Sequence, residues 1–455
     1  MPSVAFHTLG CKVNQYDTEA MIESFRASGY DIVDFNDEAD VYVINTCTVT
    51  GRGSQKSRQT VRQARRRNAR AIVAITGCYP QVSPEEAAAI PGVDIVAGTK
   101  DRKGIVDLVE RAISQREQAG AAATDSDAGA ADPPAQIRAI GDIMQTREFE
   151  DIPITEFTSR TRATVKVQEG CNQYCSYCII PYARGPMRSR PPASVQAEVE
   201  RLAAAGFKEV VLTGIHLGAY GAGLTERTSL AALLRLLAPV PGLERIRISS
   251  IEPLEVTDEL LQTMVANPKV CHHLHIPLQS GDADVLSRMN RHYTPEQYQE
   301  VVARARAAMP DIAITTDVIV GFPGETEANF LNTYALAGAV EFAKMHIFQY
   351  SRRAGTPAAD MPDQVSDRLK EERAHRLAAL DESLVLAFEQ RFIGKTLPVL
   401  VEEEAGGGRA GTLEGLTGNY MRVVFRGAEE LKNTVQKIRL REARGEIVIG
   451  DLARS

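Results

Sequence analysis

The run Cys171-Asn172-Gln173-Tyr174-Cys175-Ser176-Tyr177-Cys178 constrains this chain more than any other stretch, because it places three thiols in one short loop. Cysteines spaced CxxxCxxC can bind three irons of a cubane [4Fe–4S] cluster, whereas a closed structural site wants a fourth ligand nearby. None follows, since the next cysteine is Cys271, far along the chain. An open iron is a place where a small molecule can be ligated and activated. The alternative is a structural zinc loop completed by a distant His or Cys, although zinc ribbons favour paired CxxC knuckles.

The sequence around this loop predicts a scaffold that suits it. From Arg162 to about Glu389, apolar strands are expected at Ala163–Gln168, Glu209–Thr213, Arg245–Ser250, His273–Leu278, Ala313–Val320 and Lys344–Tyr350. Strand–helix units repeated in this way suit a (β/α)6 partial barrel, which carries its chemistry in loops after the carboxyl ends of the strands. The cysteine loop directly follows the first of them.

Residues 1–118 also read as α/β. Strands at Val4–Thr8, Val41–Asn45, Ile72–Thr76 and Asp94–Ala97 alternate with helical patterns near Asp17–Ser28, Ser54–Asn68, Pro84–Ala89 and from Asp101 onward. This alternation predicts a doubly wound parallel sheet. Cys11, Cys47 and Cys78 each sit just past one of these strands, in HTLGC, VINTC and AITGC. Parallel strands gather their carboxyl ends along one edge, so the three thiols can converge on a second metal centre. A lone buried cysteine is commonly a small hydrophobe, and Cys271 in VCHHLHIPL is read that way. His273 and His275 share one face of that strand and are read as polar residues of the barrel interior.

Between 119 and 155 the composition collapses to Ala, Gly, Asp, Ser and Pro, which predicts a flexible linker without chemistry. Past it, 156–390 forms the partial-barrel domain. From 391 to 455, short alternating segments with Gly-rich turns predict a small antiparallel β-barrel.

Net charge is −7, so any nucleic-acid contact requires a local basic patch on an acidic body. The window Arg52–Arg70 holds eight basic residues and no acidic one, with Arg58, Arg62, Arg65 and Arg66 on one helix face. A solvated helix surface is the plainer reading of such a run, yet phosphate contact explains the missing acids. Lys437 and Arg439 offer a second basic face on the barrel. Arg184, Arg188 and Arg190 follow the cluster loop closely and are expected to act on substrate or on a ligand carboxylate. Seven cysteines, an odd number in motif-like settings, fit metal ligation in a reducing cytosol better than disulfides. No signal-peptide pattern or spanning apolar run is present, so a cytoplasmic protein without a membrane partner is expected.

With two three-cysteine sets and a terminal barrel in this order, the chain resembles the radical S-adenosylmethionine (SAM) methylthiotransferases. The resemblance rests on LGCKVNQYDTEA, CNQYCSYCIIPYARGPMRSR, SSIEP, HIPLQSG and VGFPGET, and spans nearly the whole length outside the linker. It implies an auxiliary [4Fe–4S] cluster on Cys11, Cys47 and Cys78, and a SAM-binding [4Fe–4S] cluster on Cys171, Cys175 and Cys178. It implies a terminal TRAM-like domain and a one-electron donor such as a flavodoxin or ferredoxin system. For SAM it implies contacts from Gly321, Gly324 and Glu325, whereas Gly214, Glu252 and Gln279, at the ends of the second, third and fourth strands, read equally as SAM contacts or as turn residues. The string TLGCKVN is similar to the group that methylthiolates N6-threonylcarbamoyladenosine in tRNA. The isopentenyladenosine group tends toward GCQMN, and the group modifying a ribosomal-protein aspartate toward GCPKN. Asp17 departs from an expected Glu, a change read as chemically neutral.

Overall fold

The computed structural model describes residues 1–48, 51–100, 102–125, 135–152, 154, 161–405 and 411–453, without the side chains of 51–54 and 120–125. Strands β1 (Ser3–Thr8), β2 (Asp31–Val33), β3 (Val41–Thr46), β4 (Ile72–Gly77), β5 (Ile95–Ala97) and β6 (Ile137–Ala139) form one sheet, in the order β2-β1-β3-β4-β5-β6. Every neighbouring pair is parallel. All residues of β3 and β4 are buried, as continuous apolar runs must be when helices cover both faces. Met21, Phe25, Ile105 and Val109 cover one face, and Val61, Ala64, Tyr79 and Ala87 the other. The sheet is therefore doubly wound.

Two of its strands escape the sequence reading. β2 is only three residues long, and β6 lies inside the stretch expected to be a linker. The Ile137–Ala139 backbone pairs with Ile95–Ala97, and Ile152 and Ile154 pack against Tyr16 and Ala20. Residues 135–152 are thus built into the N-terminal unit. Low average hydrophobicity hides a few well-placed apolar side chains. Residues 126–134, also in that expected linker, lie outside the described residues.

The second unit contains β7 (Arg162–Glu169), β8 (Arg188–Ser189), β9 (Glu209–Gly214), β10 (Arg245–Ile248), β11 (His273–His275), β12 (Ala313–Val320) and β13 (Lys344–Gln349). β7, β9 and β10 pair in parallel, as do β11, β12 and β13. Isolated bridges, Ile246↔Val270 and Ser250↔His275, join the two sets. Six parallel strands thus form an arc, and among the described residues no ladder joins β13 back to β7. β8 is a short antiparallel addition to β7.

The third unit is a closed barrel of β14 (Thr396–Glu404), β15 (Thr412–Thr417), β16 (Arg422–Arg426), β17 (Val435–Ala443) and β18 (Val448–Leu452). Four of its five pairings are antiparallel, while β16 and β18 run parallel. It docks at the amino ends of the arc strands. Arg245 donates to the Leu416 and Pro398 carbonyls (2.7 and 2.6 Å), and Arg247 to those of Thr417 and Gly418 (3.2 and 3.0 Å). Tyr420 stacks on His273, with ring centroids 4.7 Å apart. The barrel therefore closes the mouth opposite the cysteine loop. No helix among the described residues is long and apolar enough to cross a membrane.

Candidate metal centres and the cavity between the units

The first three cysteines lie at the carboxyl ends of β1, β3 and β4, adjacent strands of one sheet. Asn14 ties their loops together. Its amide donates to the Leu9 and Thr46 carbonyls (2.8 and 2.9 Å), and its Oδ1 lies 3.9 Å from Cys78 Sγ. Gly10 has φ +114°, and a Cβ there would lie 2.8 Å from Cys47 Cβ, so only glycine lets the first loop close over the second cysteine. Cys11 is exposed, Cys47 half-buried and Cys78 buried. Burial pushes the Cys78 thiol up to about 11 against the pull of Arg184, and the neighbouring Cys47 and Cys11 raise it further. Three thiols gathered at one sheet edge form a donor set that suits an iron–sulfur cluster with one iron left open.

The second set follows β7. Gly170 (φ +79°) leads into the loop, and a Cβ there would lie 1.9 Å from the Pro186 carbonyl oxygen. Cys171 N–H donates to the Gly185 carbonyl (3.0 Å) and Cys178 N–H to that of Cys175 (2.9 Å). Ser176 anchors the loop through Oγ to the Arg288 carbonyl at 2.7 Å. Burial raises Cys178 to about 12 and also raises Cys175. Arg291 donates to Cys175 Sγ at 3.3 Å and pairs with Glu252. No further cysteine joins either set: Cys271 is buried, as expected, under Arg245 and Arg247.

A buried charge cluster joins the two centres. Arg184 Nε donates to Cys78 Sγ at 3.2 Å, and its Nη1 contacts Asp17 and Glu169, each at 2.6 Å. Arg102 pairs with Asp17, Glu150 and Glu169 (3.3, 2.6 and 2.6 Å), and Lys166 with Asp17 and Glu169 (2.5 and 3.1 Å). Burial works against ionisation of both acids, yet Arg102, Lys166 and Arg184 hold Asp17 low and Glu169 lower still. Asp17, read from the sequence as a neutral departure, is a centre of this network.

The same geometry corrects the reading of the arginines after the cluster loop. Arg184, Arg188 and Arg190 are all buried and engaged internally, Arg188 near Glu169 and Arg190 on Glu198 and Asp151. Arg184 reaches the first thiol set through Cys78, and Arg188 also lines a cavity with Arg102 and Glu150. Arg65 is likewise committed, to Asp94 at 2.6 Å and to the Gly92 and Ala71 carbonyls. Arg58, Arg62 and Arg66 are exposed one turn apart, with no ion pair to a described residue. Lys437 and Arg439 are exposed on β17, alternating with buried Ile438 and Leu440.

The expected SAM residues divide in two. Gly214 packs so closely on Gln168 that a Cβ would sit 2.7 Å from its carbonyl oxygen. Gln279, four residues past β11 and bridged to Val318, takes a left-handed conformation (φ +61°) with its side chain half-buried. Gly321 and Gly324 also take positive φ. Glu325, however, accepts from Gly321 N–H (2.9 Å) and pairs with Arg373 (2.6 Å), so it holds the turn. Glu252 is spent on Arg291. His216, absent from the sequence reading, sits 4.0 Å from Cys171 Sγ and 2.5 Å from Glu255. Burial lowers its proton affinity, but Cys171 and Glu255 outweigh that and carry it to about 10. Its position in TGIHLG, just past β9, is the signal that marks it.

Where the three units meet, a cavity of about 420 Å³ opens between Lys12, Gln15, Arg162, Thr164, Val211, Glu402 and Tyr420.

Comparisons agree with this architecture. Residues 3–98 match the model described as uncharacterized protein family UPF0004, and residues 165–337 that of the radical SAM superfamily. The chain is 44% identical to the threonylcarbamoyladenosine tRNA methylthiotransferase MtaB of Bacillus subtilis (strain 168), over 97% of this chain and 94% of that protein. Identity to the MtaB of Aquifex aeolicus (strain VF5) is 40%, over 95% and 99%. The tRNA-2-methylthio-N(6)-dimethylallyladenosine synthase of Caldicellulosiruptor saccharolyticus is 35% identical, over 98% and 91%. Among solved structures, the radical SAM methyltransferase TsrM from Kitasatospora setae superposes with a TM-score of 0.58. That match covers 79% of this chain and 77% of that one at 17% identity, which shows the shared fold alone. The chain belongs to the tRNA methylthiotransferase family of radical SAM enzymes. It is a transferase whose cofactors are SAM and [4Fe–4S] clusters.

Proposed function

We propose that this enzyme converts N6-threonylcarbamoyladenosine at tRNA position 37, next to the anticodon, to its 2-methylthio derivative. Full-length similarity to two MtaB proteins supports the target. The chemistry is supported by one observation above all: two three-thiol sets, each at the carboxyl ends of parallel strands, with Arg184 reaching from Cys78 of the first to Glu169 at the strand end that leads into the second.

Cys171, Cys175 and Cys178 would hold the SAM-binding cluster, and Cys11, Cys47 and Cys78 the auxiliary one. When bound, these groups supply an electron, a carbon radical able to take hydrogen from an unactivated C–H bond, and a sulfur donor. The protein's own residues fix and enclose them. Arg291 places an N–H donor on Cys175, while Gly170 lets the loop turn tightly against Pro186. Gly214 and Gln279 are the expected residues best placed to approach SAM, beside Gly321 and Gly324, whose turn Glu325 braces. Glu252 would act through Arg291.

Arg58, Arg62 and Arg66 would contact phosphates, with Lys437 and Arg439 of a TRAM-like barrel as a second patch. The reductant would be a flavodoxin or ferredoxin system. Reconstituted protein should methylthiolate an anticodon stem-loop carrying threonylcarbamoyladenosine and leave an isopentenyladenosine stem-loop unchanged. The reverse preference would overturn the target. Replacing Arg58, Arg62 and Arg66 together by Gln should weaken stem-loop binding. It should also flatten the slope of log K against log salt by about 2 to 3. Arg65→Gln should instead lower thermal stability, because it breaks the pair with Asp94.

A further inference from the structure

We propose that Lys12 and the cavity beside it form the subsite for the carboxylate of the threonylcarbamoyl group. This inference rests on the substrate proposed above.

Lys12 directly follows Cys11, so the two Cα atoms are about 3.8 Å apart. Anything held on the Cys11–Cys47–Cys78 set therefore lies close to the Lys12 backbone, within the reach of a long, flexible side chain. Lys12 is the first residue of the helix Lys12–Ala27, whose first turn carries no acidic residue. The helix N-terminus thus adds a favourable field for an anion to the ammonium charge. The side chain is exposed, and it makes no ion pair to a described residue. It lines the cavity of about 420 Å³ at the junction of the three units, a volume sufficient for a nucleoside substituent.

The other charges lining that cavity are differently placed. Arg162 is bound to Glu402, and the exposed Glu403 lies on the barrel strand beside it; Arg247, behind Tyr420 and outside the lining, is bound to Glu209. Lys12 is thus the cation left over. Tyr420 sits among Lys12, Arg162 and Arg247, and its hydroxyl is acidified by those three cations despite burial. Positive charge thus gathers around the Tyr420 hydroxyl, while the lining carboxylates Glu402 and Glu403 stand on the barrel side of the cavity.

The substrate's chemistry fits this arrangement. C2 and N6 of adenine flank the same ring nitrogen, N1. With C2 turned toward the sulfur donor, the N6 substituent is carried only a short way along the same edge. Threonylcarbamoyladenosine ends there in a carboxylate, and isopentenyladenosine in a hydrocarbon. A charge-assisted hydrogen bond at that point would favour the first substrate and give nothing to the second.

The test uses full-length, cluster-reconstituted enzyme and two stem-loops. One carries threonylcarbamoyladenosine; the other carries its threoninol analogue, in which the carboxylate is replaced by a hydroxymethyl group. Lys12→Gln should lower kcat/KM for the carboxylate substrate by at least about 10-fold, mainly through KM. It should leave kcat/KM for the threoninol stem-loop within about 2-fold of wild type. Lys12→Arg should restore most of the loss. Iron content reports on the neighbouring Cys11 site and SAM cleavage without substrate on the Cys171–Cys175–Cys178 site, and both should be unchanged. Equal losses on both stem-loops, or no loss on either, would overturn the carboxylate assignment. Failure of the wild-type enzyme on the carboxylate stem-loop would instead overturn the substrate reading beneath it.

Discussion

Replacing Cys175 with alanine should abolish both 5′-deoxyadenosine formation and methylthiolation. Replacing Cys78 should abolish only the second. The two thiols belong to separate sets on separate sheets, so losing one leaves the other set's geometry intact. Each variant should fall from about eight irons per chain to about four. In the Cys78→Ala enzyme, SAM and dithionite should still yield 5′-deoxyadenosine, uncoupled from product. High-performance chromatography of the nucleosides, beside an iron assay, reads both. The division of labour would be wrong if Cys78→Ala lost 5′-deoxyadenosine, or if Cys175→Ala kept it. Cys271→Ser provides the contrast: its thiol is buried away from both sets, so iron content should be unchanged.

The second large effect is expected at Glu169. This carboxylate is fully buried and meets Arg102, Lys166 and Arg184 at once. Glu169→Gln keeps the shape but leaves buried cations short of a counter-charge, which costs about 3–5 kcal/mol when a buried pair is broken. Thermal unfolding should shift down accordingly. The N-terminal unit should become sensitive to limited proteolysis, because Asp17 and Arg102 lie on its side of the junction. The pH dependence has a definite sign. Folded-state proton affinities of Asp17 and Glu169 are depressed, so their contribution is complete above the ordinary carboxylate range and is lost as pH falls through the folded values. Wild-type stability should drop steeply below about pH 4, and the Glu169→Gln curve should be flatter there. An unchanged acid limb would place the junction's strength elsewhere.

How far the sequence could be read depends on whether a residue's partners are local. The cysteine loop is legible because its three thiols lie within eight residues. Cys11, Cys47 and Cys78 are legible because parallel strands place equivalent ends side by side, a consequence of topology alone. The strands themselves announce their burial through unbroken apolar runs such as VYVINT and IVAITG. Short edge strands give no such signal, which is why Asp31–Val33 and Ile137–Ala139 are found only in the structure.

Charged residues are where the sequence misleads. Arg184, Arg188 and Arg190 follow a metal-binding loop and look like ligand contacts, yet their partners Asp17, Glu169, Asp151 and Glu198 come from scattered segments. Glu252 and Glu325 are similarly absorbed by Arg291 and Arg373. Asp17 shows the converse error, since a one-carbon change of side chain reads as neutral until its three cations are seen around it. Arg65 differs from Arg62 and Arg66 only in angle on the helix, but that angle turns it onto Asp94. Periodicity alone could not separate them. The left-handed His216 is marked in the sequence by its position just past β9, and the structure adds its partners, Cys171 and Glu255.

Mass spectrometry of nucleosides from bulk tRNA, in cells with and without the gene for this chain, tests the central claim most directly. Loss of 2-methylthio-N6-threonylcarbamoyladenosine, with its unmodified precursor accumulating and the isopentenyladenosine derivatives constant, is the predicted result. An unchanged threonylcarbamoyladenosine profile, with the methylthio form of isopentenyladenosine lost instead, would contradict it.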